Sequence, residues 1–222
     1  IIGGIGVNGL GHSHPRFVKA IQNQVAKASV GSFTSAARVD LFEQLAKNRP
    51  SAKVHRAQLY SSGAEAVESA LRLAKCYTGR SDIVSFWGGF HGKTMGVLSL
   101  MGSDFKEGFG PFVPGSHIYT YPHPYRCPEG MNADTYAMAC VEELRKRLKG
   151  DAGKNIAAII LEPMQGTAGN IIPSEKFLPA VREVAREIGA LFIADEMITG
   201  FGRTGKYWGV NHSGVDPDIV TL

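Results

Sequence analysis

Two carboxylates, Asp195 and Glu196, directly follow five apolar residues at positions 190–194. A short apolar run of this kind is typical of a buried strand. A charge buried at the end of such a strand is costly unless a partner compensates it. The position therefore favours a carboxylate that pairs with a cationic ring nitrogen of a ligand or with a metal ion. Capping of a helix is the alternative interpretation.

A second candidate is the segment Ser61-Ser62-Gly63-Ala64-Glu65, which precedes a run of residues with helical spacing. Ser62 and Glu65 have the separation of a capping box. Gly63 lets the backbone approach a ligand closely, and the free N–H groups of a first helical turn bind anions. The pattern predicts either an anion site or a simple helix cap. A P-loop is excluded, because the segment lacks the GxxxxGK pattern followed by Ser or Thr.

A third candidate is Phe90-His91-Gly92, which follows a predicted strand at residues 83–86. An aromatic ring and an imidazole between glycines at a strand end can stack on a flat ligand. Ordinary packing is the alternative. The letters GxGxxG at residues 200–205 neither follow a strand directly nor open a helix, so we predict a glycine-rich loop there and not a dinucleotide site.

Metal and hydrolase chemistry have little support in the sequence. Four histidines lack a cysteine or acid at ligand spacing, so we expect no metal site: His12, His14, His117 and His123. No GxSxG motif is available to carry a nucleophilic serine. The 222 residues carry a net charge of +4 with basic residues mostly spread out, which argues against a nucleic-acid partner.

The elements that must position these residues alternate between short apolar runs and amphipathic segments. We predict strands at residues 57–60, 83–86, 156–161, 191–194 and 219–222, and helices at residues 15–28, around 39–46, and at 64–77, 134–149 and 174–188. Residues 102–128 are expected to be irregular. This order predicts an α/β fold, a three-layer α/β/α sandwich with a mostly parallel sheet. Ligands of such sheets bind at the carboxyl ends of the strands, where the three candidate segments fall.

The amino-acid composition indicates the cellular compartment in which we expect the protein. Hydrophobic residues make up 44% of the chain and charged residues 20%, as in an ordinary globular protein. The longest apolar runs fall far short of the ~20 residues that span a bilayer, so no membrane partner is expected. Three widely spaced cysteines, Cys76, Cys127 and Cys140, form no CxxC pair, which predicts a reducing cytoplasm and no disulfide framework.

Taken together, five ordered segments resemble the class III (omega-type) aminotransferases, pyridoxal-phosphate (PLP) enzymes of fold type I. They are Gly11-His12-Ser13-His14-Pro15, Ser62-Gly63-Ala64-Glu65-Ala66, Phe90-His91-Gly92, Glu162-Pro163-Met164-Gln165-Gly166 and residues 195–205. The resemblance implies a homodimeric transaminase that moves an amino group from an amine or amino acid to a keto acid or aldehyde through a Schiff base. It also implies an N-terminal segment at residues 1–30 and a PLP-binding large domain at residues 31–222.

The same resemblance assigns roles to individual residues. Asp195 pairs with the ring nitrogen of PLP and keeps it protonated, and Glu162 lies near the substrate or just behind it; these two are the implied catalytic residues. The implied cofactor-binding residues are Ser62, Gly63, Ala64, Phe90, His91, Asp195 and Met197. In this group Gly63 and Ala64 hold the phosphate through their N–H groups, while Phe90 and Met197 cover the two faces of the ring.

Three departures from the family pattern stand out. The Schiff-base lysine is expected shortly after a segment like residues 218–222, where the sequence stops, so we interpret the chain as a fragment without that lysine and without most of the small domain. Ile198 stands where many members have Gln, and Thr167 where many have Glu. A decarboxylase or aminomutase of the same fold, and a non-catalytic scaffold, are the alternatives to a transaminase.

Overall fold

A computed structural model describes residues 3–6, 8–28 and 33–222. Contacts between residues divide the chain into two units, Ile1–Arg49 with His55–Ala57, and Pro50–Val54 with Gln58–Leu222. The domain boundary that we expected between residues 30 and 31 lies outside the described residues and stays a prediction.

In its described residues the first unit contains two helices, both of which were expected from the sequence. Helix α1 (Pro15–Val25) begins at a proline, which suits a first helical turn because its missing N–H is not needed there. Helix α2 (Ala36–Lys47) begins after Ser35, whose Oγ accepts the N–H of Arg38 at 3.3 Å. Helix α1 ends three residues before the predicted end at residue 28.

The second unit is built around a five-stranded parallel sheet in the order β2-β1-β3-β4-β5. Its strands are β1 (Asp82–Phe86), β2 (Ser116–Tyr119), β3 (Ile156–Leu161), β4 (Leu191–Asp195) and β5 (Ile219–Thr221). Its helices are α3 (Gly63–Thr78), α4 (Met95–Leu98), α5 (Ala133–Arg147), α6 (Asp151–Lys154) and α7 (Phe177–Glu187). Short 3₁₀ segments occur at Asp104–Lys106, Pro124–Arg126 and Gly209–His212.

Helices cover both faces of this sheet. On one face, Ile83 and Ile193 pack in the same apolar cluster as Val67 of α3. On the opposite face, the ring of Phe86 packs edge-on against Phe177 of α7 with centroids 5.7 Å apart. The predicted three-layer α/β/α fold with a parallel sheet is therefore confirmed.

The strand order creates a crevice at one edge of the sheet. After β1 the chain moves outward to β2 and then returns across β1 to form β3 on its other side. Connections that leave neighbouring strands in opposite directions open a space at the carboxyl ends of those strands, where ligands of doubly wound folds bind. The residues that follow β1, β3 and β4 therefore share one crevice.

Two predictions about strands were wrong. Within the described chain, residues 57–60 join no ladder, and Leu59 and Tyr60 are 39% and 40% exposed, so the apolar pair lacks the neighbour that a strand requires. Strand β2 lies inside the segment that we expected to be irregular. Its sequence, Ser-His-Ile-Tyr, lies half-exposed at the edge of the sheet and so lacks a continuous apolar run. Among the described residues, no helix combines the length and apolar character required to cross a membrane.

Candidate active site

Asp195 lies at the last position of β4 and is only 2% exposed. His91, which follows β1 and is 4% exposed, donates from Nδ1 to Asp195 Oδ2 at 2.7 Å. The other oxygen, Oδ1, accepts the N–H of Met197 at 3.2 Å. Burial lowers the pKa of the His91 imidazole, but the hydrogen bond and charge of Asp195 outweigh it and raise the pKa above its ordinary value. The pair therefore places the buried Asp195 carboxylate, held by the imidazole N–H of His91, at the crevice.

Glu162 follows β3 and is 5% exposed. Its carboxylate links two loops, because Oε1 accepts the N–H of Phe90 at 2.8 Å and Oε2 accepts the N–H of Gly166 at 3.2 Å. Burial raises the pKa of Glu162 to about 7, and the nearby positive charge of His91 opposes that rise. Glu162 thus lies behind Phe90, where it fixes the backbone of the loop after β1 and can hold a proton near neutral pH.

The N-terminus of α3 offers hydrogen-bond donors to the same crevice. Ser62 caps the helix, with its Oγ accepting the N–H of Glu65 at 3.3 Å, and Glu65 Oε2 in return accepts the N–H of Ser61 at 2.8 Å. In the described chain, the N–H groups of Gly63 and Ala64 donate no hydrogen bond. Unpaired donors at the positive end of a helix dipole attract an anion.

Met197 packs against the first turn of α3. A Cβ atom built on Gly63 would lie 2.5 Å from Cε of Met197, so the absence of a side chain at Gly63 makes room for the methionine. From the sequence we expected Gly63 to let a ligand approach the backbone closely. In the structure, the glycine makes room for the Met197 side chain. The ring of Phe90, in the loop after β1, is partly exposed and packs edge-on against Phe105 with centroids 6.1 Å apart.

Two further residues support the site and were not assigned a role from the sequence. Gln165 is 3% exposed and donates from Nε2 to the carbonyl of Trp87 at 2.9 Å, which joins the loops after β1 and β3. Glu196 accepts the hydroxyl of Thr199 and the N–H groups of Gly209 and Val210, the latter two at 2.8 and 2.9 Å. It thereby anchors the glycine-rich loop at residues 200–205, which forms turns and no helix, as predicted.

Other features of the chain lie apart from this crevice. Within the described ranges, no group of three His, Cys, Asp or Glu side chains is placed to hold a metal ion. A cavity of about 670 Å³ lies between the edge strand β2 and helix α5, with a lining that includes Tyr119, Tyr136 and Cys140. Because Asp195, His91 and Glu162 do not line it, we place the candidate site at the strand ends and not in this cavity.

Comparison with known proteins gives the class to which this fold and site belong. The family model described as aminotransferase class-III matches residues 1–222. A probable 4-aminobutyrate aminotransferase from Bacillus subtilis (strain 168) is 36% identical over 226 residues, covering 99% of this chain and 52% of the relative. The chain therefore belongs to the class III aminotransferase family, whose members depend on PLP.

Solved structures agree with this assignment. An (S)-enantioselective omega-transaminase from Thermomicrobium roseum is similar at a TM-score of 0.92 with 35% identity, over 99% of this chain and 51% of that one. An amine transaminase from an uncultivated Pseudomonas species, described in a PLP-bound form, is similar at a TM-score of 0.89 with 32% identity, over 99% of this chain and 52% of that one. The chain spans about half the length of the relatives that it matches.

Proposed function

We propose that the protein containing this chain is a PLP-dependent transaminase, which moves an amino group from a primary amine or amino acid to a keto acid or aldehyde. The observation that carries the proposal is the buried Asp195 carboxylate, bonded to His91 and placed at the crevice of a doubly wound sheet. A carboxylate in this position suits a cationic nitrogen in a ring, which neither an anionic ligand nor an apolar one provides.

The residues of the crevice fit PLP at both ends of that molecule. Asp195 supplies a negative charge for the pyridinium nitrogen, and the free N–H groups of Gly63 and Ala64 supply donors for the phosphate. Between them, Phe90 and Met197 offer an aromatic face and a polarisable thioether to a flat ring. We assign to Ser62 the role of capping helix α3, which orients these donors. We assign to His91 the role of orienting the Asp195 carboxylate.

When bound, PLP supplies an electron sink for the carbanion formed from the amine substrate. The chain's own residues prepare that sink. Asp195 would hold a proton on the ring nitrogen, and His91 orients the carboxylate through its Nδ1–H. Glu162 holds Phe90 in place through its backbone N–H, so that the aromatic ring stays at the crevice. The burial of Asp195 would exclude water from its contact with the ring nitrogen, which would strengthen that contact.

The test uses the full-length protein that contains this chain. Added PLP should produce a visible absorption band that changes when an amine donor is supplied and returns when a keto acid follows. Product analysis then separates transamination from decarboxylation or isomerisation of the amine. A full-length protein that shows no PLP-dependent band would support a non-catalytic scaffold and would refute the proposal.

We further propose that the protein works as a homodimer in the cytoplasm. The three cysteines are free thiols in the structure, which suits a reducing compartment. The dimer is supported by membership of the class III family and is tested by sedimentation of the full-length protein, where a monomeric holoenzyme would contradict it.

A further inference from the structure

Thr221, at the carboxyl end of β5, carries a buried hydroxyl group that has no partner. The residue is 3% exposed, and its Oγ1 makes no hydrogen bond in the described chain. A buried hydroxyl without a partner costs free energy, so such groups in native proteins call for an explanation. An absent ligand that accepts its hydrogen bond is one such explanation.

The position of Thr221 in the sheet places its side chain next to the candidate site. Thr221 and Asp195 are paired in register on β5 and β4, and the carbonyl of Thr221 accepts the N–H of Glu196 at 2.8 Å. Residues directly opposite one another on neighbouring strands have their side chains on the same face. The threonine hydroxyl and the Asp195 carboxylate therefore share one face at the carboxyl edge of the sheet.

That face is the one covered by α3. Ile193 and Ile219, two residues before Asp195 and Thr221, pack in the apolar cluster that contains Val67 of α3. Because side chains alternate along a strand, residues two positions apart lie on the same face. Helix α3 also contacts β5 directly, and its first turn lies against Met197, just after β4. The side chain of Thr221 thus lies on the face that α3 covers, at the edge of the sheet where the first turn of α3 meets Met197.

We propose that Thr221 donates its hydroxyl hydrogen to the phosphate group of PLP, alongside the N–H groups of Gly63 and Ala64. This inference rests on the proposed function, since it names one more residue of the same cofactor site. A phosphate oxygen would accept the hydrogen bond that no group of the described residues accepts. The threonine hydroxyl is neutral, so it adds a donor for the anionic phosphate without adding a charge of its own. In the proposed site Asp195 takes the ring nitrogen, which is not a hydrogen-bond acceptor when protonated, so the phosphate is the anionic acceptor that we assign to Thr221.

The test compares PLP with pyridoxal, which has the same ring and aldehyde but lacks the phosphate, in the full-length apoprotein. Thr221→Val keeps the shape and removes the hydroxyl, and should weaken PLP binding about tenfold, or about 1.4 kcal/mol, measured by fluorescence quenching. Pyridoxal binding should stay unchanged. Thr221→Ser, which keeps a hydroxyl, should restore the affinity for PLP. The melting temperature of the Thr221→Val apoprotein should be no lower than that of the wild type, because an unpartnered hydroxyl is lost.

Ser85→Ala is the matched control, because the Ser85 hydroxyl is also buried but already donates to the carbonyl of Leu100 at 2.6 Å. This control should lower the melting temperature and leave the ratio of PLP to pyridoxal affinity unchanged. Equal effects of Thr221→Val on both ligands, no effect on either, or a lower melting temperature of its apoprotein would overturn the inference. Failure of the wild-type protein to bind PLP would instead refute the proposed function.

Discussion

Replacement of Glu162 by Gln should change how stability depends on pH. Burial raises the pKa of this carboxyl from 4.5 to about 7, against the opposing charge of His91 and the hydrogen bond from Phe90. A carboxyl with a raised folded-state pKa contributes stability that is fully present below pH 4.5 and is lost as the pH rises through about 7. At about 1.36 kcal/mol for each pKa unit, the contribution amounts to about 3 kcal/mol.

The Gln variant also has a cost that does not depend on pH. Glu162 accepts two backbone N–H groups, whereas Gln has one oxygen, so its NH₂ group would face the N–H of Phe90 or Gly166. One unsatisfied buried donor destabilises the fold by about 1–3 kcal/mol. The wild type should therefore be clearly more stable than the variant at pH 5, and the difference should shrink by about 2.5 kcal/mol between pH 5 and pH 8.

The measurement is urea unfolding of the full-length apoprotein at pH 5, 6, 7 and 8, with both proteins followed by circular dichroism. The exposed Glu175 provides a control, because Glu175→Gln should track the wild type at every pH. A constant gap between wild type and Glu162→Gln from pH 5 to pH 8 would refute the reasoning, since it would place the Glu162 carboxyl near its ordinary pKa.

Three other predictions concern the site and the sheet. Asp195→Asn should lower transamination by the full-length enzyme more than tenfold, or about 1.4 kcal/mol. The same substitution should lower the pKa of His91 measured by NMR. A variant with more than a tenth of wild-type turnover would contradict the role of Asp195. Gly63→Val should displace Met197 and raise the dissociation constant of PLP more than Gly63→Ala does, and equal constants for Val and wild type would argue against the phosphate assignment. Gly102→Ala places a Cβ 2.6 Å from Cα of Trp87 and should cost about 1–3 kcal/mol in urea unfolding. By contrast, Gly96→Ala, whose Cβ meets only the movable carboxylate of Glu68, should be tolerated.

The sequence predicts well those helices and strands whose structure is determined by a pattern in their own residues. Strand β3 was predicted to the residue, because Ile156–Leu161 is a run of six apolar residues that are all buried. Strand β2 was missed because its pairing with β1 decides its structure more than its own four residues do. Residues 57–60 were assigned to a strand for the opposite reason, since their local pattern suits a strand but no partner is present in the described sheet.

The same distinction applies to the candidate site. The burial of Asp195 followed from the apolar run before it, and the helix cap at Ser62 from the three-residue spacing to Glu65. The bond between His91 and Asp195 joins residues 104 positions apart, so only the sheet register could reveal it. The orphan hydroxyl of Thr221 likewise becomes visible only when every neighbouring atom is placed.

The strand order also governs when the site can form as the chain folds. The donors at the start of α3 depend on local helix formation, whereas His91 gains its partner only after β3 and β4 have joined the sheet. Contacts between residues so distant in sequence close late, because the loop entropy is lost before they form. If Asp195 holds the ring of PLP as proposed, the cofactor would bind only to molecules whose sheet is complete. By mass action such a ligand would draw the population toward the finished fold, and cofactor supply would then act on the yield of folded protein as well as on its chemistry.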